Sequence, residues 1–207
     1  MKIAVIAANG RSGQAFVEAA LKAGHSVNAG VRHISTLEPH PNLVITECDA
    51  TNESQIRQLT SGHDVVASFI GHVRKSAPNV QTEAITKIIK VMNELKITRL
   101  ISLTGTGVRF RDDKITLLDR FLNLSISLID SARVKDGKDH VEVIKSCNLD
   151  WTVIRVLKLQ NVAAKPYKLR LNGPTKLYVG RQDVASAVLE VIENSSFIKQ
   201  APIIGKR

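Results

Sequence analysis

The chain has 207 residues, 43% of them hydrophobic but only 4% aromatic, and carries a formal net charge of +10. That length suits one α/β domain with a well-buried aliphatic core; the composition excludes a disordered chain, and no apolar run approaches the roughly 20 residues needed to cross a bilayer. The charge admits an anionic cofactor and substrate, a nucleic-acid surface or a solvated basic exterior, and the lack of an Arg/Lys block interleaved with aromatics makes nucleic acid the weakest of the three.

Residues 2–7 form a short aliphatic run that reads as a strand, cut at once by Asn9-Gly10-Arg11. It is too short for a signal segment, so a cytoplasmic protein is expected. Over 12–23 the apolar residues Phe16, Val17, Ala20 and Leu21 recur at helical spacing, and Gly24 follows as a helix terminator. The alternation continues with strands at 26–32 and 43–47, a helix at 53–60, a strand at 64–70, a helix at 79–95 and a strand at 99–103. Beyond Thr104 helical stretches fit 115–129 and 134–146, a strand fits 151–156 and a helix 183–193, with short extended pieces at 167–171 and 203–204. Residues 157–180, with Pro166, Pro174 and two glycines, read as irregular and as the segment that builds a substrate pocket. Strands separated by helices imply right-handed crossovers, and hence an α/β fold: a single Rossmann-type, doubly wound parallel sheet with helices on both faces, spanning 1–207. Cys48 and Cys147 lack partners at disulfide or zinc spacing and read as free thiols, and no metal site is expected.

The turn Ala7-Ala8-Asn9-Gly10-Arg11-Ser12-Gly13 follows the first strand and opens the first helix. Gly10 and Gly13 take the second and third places of a G-x-x-G-x-x-G pattern, with Ala7 in the first. Small residues there let the backbone approach a pyrophosphate lying on the helix N-terminus. Ser12 offers a hydroxyl to the phosphates, and Asn9 tolerates unusual turn geometry. The second strand ends in Ala29-Gly30-Val31-Arg32-His33, with no carboxylate for the ribose hydroxyls of NAD(H). Arg32 instead offers a planar donor array matched to a 2′-phosphate, so NADP(H) is preferred over NAD(H). His33 is either part of that site or a polar loop residue. Asp49, beside Ala50, either accepts from an adenine amine or caps the next helix, a role open also to Thr51 and Asn52. After the fourth strand Ile70 and Gly71 allow backbone to lie against a cofactor ribose, whereas His72 reads as a loop residue.

These turns, taken with Leu149-Asp150-Trp151-Thr152-Val153-Ile154-Arg155 and Gly180-Arg181-Gln182-Asp183-Val184-Ala185, resemble the atypical short-chain dehydrogenase/reductases with an NAD(P)H-binding domain, a group similar to the flavin and biliverdin-IXβ reductases and to nitrogen-metabolite-repression regulators. The resemblance spans nearly the whole chain. It implies that Thr104 takes the place of a substrate-facing hydroxyl and that Lys138 holds the nicotinamide ribose. The chain departs from the mainstream superfamily in lacking its Tyr-x-x-x-Lys pair, since Tyr167 and Tyr178 both fall beyond the helix that would carry it. It departs again at Val156, where many relatives carry proline.

Without the acidic tyrosine, alcohol and sugar oxidation by that route is not expected. The expected activity is hydride transfer from NADPH to a flat acceptor such as a flavin or quinone, with anionic acceptors favoured by the basic chain. A non-catalytic redox sensor is the alternative, and a reductase or isomerase of a small metabolite a third. Oligomeric state has no signature in the sequence.

Overall fold

The computed structural model describes residues 1–33, 35–73, 76–105, 107–110, 113–114, 124, 130–172 and 178–206. Its elements are β1 (Lys2–Ile6), α1 (Arg11–Lys22), β2 (Ser26–Val31), β3 (Leu43–Glu47), α2 (Glu53–Thr60), β4 (Val65–Ser68), α3 (Val80–Leu95), β5 (Arg99–Gly105), α4 (Ser131–Lys145), β6 (Asp150–Val156), β7 (Lys158–Gln160), β8 (Tyr167–Arg170), β9 (Tyr178–Gly180), α5 (Arg181–Glu193) and β10 (Ile203–Lys206). Eight strands form one sheet in the order β3-β2-β1-β4-β5-β6-β10-β8, and β7 pairs in parallel with β9 in a second, two-stranded sheet. From β1 the chain winds outward through β2 to β3, then crosses back to β4 and winds the other way. The reversal falls between β1 and β4, where a doubly wound sheet opens a crevice at its carboxyl edge.

Side chains alternate along β1 and both sets are buried, as a sheet covered on two faces demands. Ile3 and Val5 join Phe16, Val17 and Ala20 of α1 and Val184, Ala187, Val188 and Val191 of α5 in one core. Ala4 and Ile6 join Ile56 and Leu59 of α2, Ile85, Ile88 and Met92 of α3 and Val141 and Ile144 of α4 in the other. The few aromatics leave the packing to aliphatic side chains, as the composition implies.

Helix ends follow local chemistry. Gly24 closes α1 at φ +84° with its N–H bonded to the Leu21 carbonyl at 2.9 Å. The α2 cap is Asn52, whose side chain accepts from the Ser54 and Gln55 amides. Helix α4 begins at Ser131, three residues before its apolar pattern, because Asp130 accepts from the Arg133 amide at 3.1 Å. The predicted helix at 115–129 lies, apart from Leu124, outside the described residues.

Two expectations are corrected. The sheet is closed on one side by β8, which runs antiparallel to β10. Residues 157–180, expected to be irregular, contain β7, β8 and β9; Pro166 stands just before β8, an edge position that needs no donor from it. The opposite edge, β3, leaves Val44 61% and Ile45 44% exposed. No helix among the described residues is long and apolar enough to cross a membrane.

Candidate functional site

A cavity of about 990 Å³ opens over the carboxyl ends of β1 to β6, on both sides of the reversal. That is the size range of a cofactor pocket. Ala7, Asn9, Gly10, Arg11 and Ser12 form one wall. Gly10 is the N-cap of α1 with no side chain to cap it, so the orphan amides of the first turn stay available to a ligand. Gly13 does not line the cavity; it lets α1 sit against β1. A Cβ on Gly13 would stand 2.5 Å from the Ala7 carbonyl oxygen and 2.8 Å from Ala8 Cα, closer than backbone can tolerate. Ala7 itself sits at φ +60°, so alanine in the first glycine position carries backbone strain of about 1 kcal/mol. Asn9 pins the turn to the loop after β2, its Oδ1 accepting from the Thr36 amide at 3.0 Å and the Thr36 hydroxyl at 2.8 Å.

Arg32 and His33 reach the cavity from the end of β2, with Cys48, Asp49, Ala50 and Thr51 beside them from the end of β3. The Thr51 amide and hydroxyl, each 2.8 Å from Asp49 Oδ1, hold the Asp49 carboxyl below its usual range, and the charges of Arg32 and Lys87 act in the same direction. Burial, with the charge of Asp49 behind it, pushes the Cys48 thiol up to about 12, so it remains protonated. An adjoining cleft is lined by Arg32, Glu47, Asp49, Glu53 and Lys87 among others. Its acids are invisible from the end of the second strand alone. Parallel pairing brings them there, Val31 standing opposite Glu47.

At the other end of the cavity lie Ile70, Gly71 and His72 from the β4–α3 loop and Leu103, Thr104 and Gly105 from β5. Around Gly71 a Cβ would meet nothing within 4 Å, so that stretch of backbone is open to a ligand. Thr104 is 5% exposed, and its Oγ1 is buried without a hydrogen-bond partner among the described residues. An unpaired buried hydroxyl costs about 1–3 kcal/mol, an expense typical of a group kept for a ligand. Helix α4 turns Arg133, Val134 and Gly137 to the cavity, and a Cβ on Gly137 would stand 3.3 Å from Thr104 Oγ1. Lys138, the next residue, is exposed and does not join the lining. A one-residue step on a helix turns a side chain through about 100°, which separates the two positions.

Among the described residues of 157–180, Leu157, Lys158 and Leu159 line the cavity. Tyr178 packs under the Lys158 ammonium, 5.4 Å from ring centroid to Nζ, and the Tyr167 hydroxyl donates to Glu190 at 2.9 Å; neither tyrosine lines the cavity. Three features were not assigned to the site from the sequence. Arg181, at the start of α5, faces Arg11 across the cavity, its pKa lowered by burial and then by that like charge. His72 Nε2 lies 2.8 Å from Asp136 Oδ2. Arg155, 1% exposed on β6, forks onto Asp113 at 2.5 and 2.8 Å and also donates to the Leu171 carbonyl, anchoring the chain that follows β5.

A glycine turn under a helix N-terminus, a cation at the end of β2 and a long cavity across the sheet reversal define a Rossmann-type dinucleotide-binding protein. The chain belongs to the NAD(P)H-binding family, whose model matches residues 7–195. It is similar to the uncharacterized protein YwnB of Bacillus subtilis (strain 168), with 25% identity over 94% of this chain and 93% of that one. A short-chain dehydrogenase/reductase of Veillonella parvula DSM 2008, solved in complex with NADP, superposes with a TM-score of 0.83 at 19% identity, covering 99% of this chain and 94% of its own. SP1627 of Streptococcus pneumoniae TIGR4, a candidate NADH-flavin reductase, superposes with a TM-score of 0.76 at 24% identity over 100% of both chains. These likenesses establish the fold.

Proposed function

We propose that the protein is an NADPH-dependent reductase that delivers hydride to a flat, electron-poor acceptor such as a flavin or quinone, anionic forms preferred. The observation that carries this reading is the unpaired Thr104 hydroxyl at the β5 end of a cavity that has no tyrosine in its lining. The residues present suit a dinucleotide: Gly10 leaves the first amides of α1 uncapped, Gly13 lets α1 sit against β1, and Arg32 matches a 2′-phosphate. The bound dinucleotide supplies the hydride. The chain holds its phosphates on the α1 amides and Arg11, holds adenosine between Arg32 and the Asp49–Ala50 backbone, and offers Thr104 to a carboxamide or acceptor oxygen. A flat acceptor then requires mainly orientation and stacking.

Calorimetric titration with NADPH and NADH, followed by NADPH oxidation in the presence of riboflavin, FMN and a soluble quinone, tests the reading. Tighter binding of NADPH and steady oxidation with at least one acceptor are expected. Tight NADPH binding without turnover on any acceptor would replace the reductase with a redox sensor.

A further inference from the structure

The cavity contains a second polar device that hydride transfer to a flavin does not need. Asp136 is 2% exposed on α4, and its carboxylate is held from several sides. Oδ1 accepts from the Thr82 amide at 3.0 Å and the Thr82 hydroxyl at 2.6 Å, and Oδ2 from the Gln81 amide at 2.9 Å. The remaining contact of Oδ2 is His72 Nε2 at 2.8 Å. Burial favours the neutral acid, but the bonds from Thr82, Gln81 and His72 outweigh it and keep the Asp136 pKa below the usual carboxylate range. An ionised carboxylate only accepts, so His72 Nε2 carries the hydrogen of this bond. Nδ1 is then the exchangeable position of the ring, and among the described residues it has no protein partner.

His72 lines the cavity with its side chain 10% exposed. Its anchor Asp136 and the small residue Gly137 are consecutive on α4, and Gly137 is the residue that faces Thr104 Oγ1. A held imidazole and an unpaired hydroxyl therefore line the same cavity, beside consecutive residues of α4. Those are the two functions, proton donor and oxygen-holding hydroxyl, that carbonyl reduction requires and that the absent tyrosine pair would have supplied.

We propose that this pocket also reduces aldehydes and ketones, with His72 as the proton donor, Asp136 as its positioning residue and Thr104 holding the carbonyl oxygen. The inference rests on the NADPH-dependent reductase reading. The carbonyl carbon accepts hydride from the reduced nicotinamide, the C=O π pair moves to oxygen, and that oxygen takes the proton of the His72 imidazolium. Alcohol and oxidised dinucleotide result, and neutral His72 takes up one proton from the bulk solvent, the proton that the net reaction consumes.

The test compares turnover of wild type, His72→Ala and His72→Gln on an aromatic aldehyde, an α-diketone and FMN, with NADPH affinity and Tm measured for each. Glutamine can keep a bond to Asp136 but cannot act as an acid. The wild type reduces a carbonyl substrate, and in both variants the ratio of carbonyl to FMN turnover falls by about 10²-fold or more, the scale of general-acid catalysis. NADPH affinity and Tm hold in His72→Gln, and added imidazole restores the ratio in His72→Ala. FMN turnover without any carbonyl turnover in the wild type overturns this proposal and leaves the reductase reading standing, whereas absence of both removes the two together. An undiminished ratio in His72→Gln shows a clamp instead of an acid. A large loss of NADPH affinity in His72→Gln assigns His72 to the cofactor's hold and equally overturns it.

Discussion

Arg32 and Thr104 stand at opposite ends of the cavity and invite opposite experiments. Arg32→Ala should weaken NADPH binding about tenfold while NADH changes by less than about threefold, the worth of a charge-assisted contact. The lower end of the usual range is expected because Asp49 already lies within the field of Arg32. Equal losses for the two dinucleotides in calorimetry would show that Arg32 reads no 2′-phosphate. Thr104→Val removes a buried hydroxyl that has no partner, so the free protein should keep its stability or gain up to about 1 kcal/mol in urea unfolding while turnover drops. A clear loss of stability would reveal a structural bond. The places of Ala7, Asn9, Gly10, Arg11, Ser12, Arg32, Asp49 and Thr104 in the cavity wall were legible because they follow from position relative to a strand end. The His72–Asp136 pair was not, since its members lie 64 residues apart and meet only once α3 packs on α4. One sign was present: Asp136, His140 and Ile144 recur every fourth residue on the buried stripe of a helix.

At the level of the element, α4 carries the pH dependence. His140 is 3% exposed, with Nε2 3.0 Å from Ser102 Oγ, and burial lowers its pKa to about 4 against a small opposing effect of Asp136. The unfolded chain binds this proton near the ordinary value and the folded one far below it. The stabilisation of the neutral ring is therefore complete above about pH 6.5 and is lost as pH falls toward 4, a change of roughly 3 kcal/mol. Urea unfolding at pH 7 and pH 4.5 should show the loss in the wild type and a much smaller one in His140→Gln; equal losses would mean other groups dominate. Element types were readable from periodicity, but ends were set by single caps such as Asp130 and Asn52. Lys138 missed the cavity for the same reason: the helix was foreseen, its rotation was not.

Across the molecule, the doubly wound, mainly parallel sheet followed from the alternation of strands and helices, whereas the antiparallel return of β8 and the buried Arg155–Asp113 pair depend on long-range docking with no periodic signal. The Arg155 guanidinium serves three separate parts of the chain. Arg155→Ala should cost about 3–5 kcal/mol by leaving Asp113 buried without its counter-charge, a loss readable as a fall in Tm. A near-unchanged Tm would show that Asp113 is solvated instead. The formal charge of +10 acts at this scale too. Raising salt from about 20 to 200 mM should slow NADPH association in stopped-flow measurements by several-fold, and a salt-independent rate would confine the basic residues to surface solvation.

The two margins of the main sheet are guarded unequally. Along β8 the outward Lys168 and Arg170 repel another copy, while β3, the outermost strand on the other side, carries the exposed Val44 and Ile45. Colloidal failure, when concentration or partial unfolding brings it on, should therefore nucleate along 43–47 by intermolecular strand pairing. Val44→Lys places a gatekeeper charge on that margin and should raise the concentration at which light scattering first increases, without altering dinucleotide affinity.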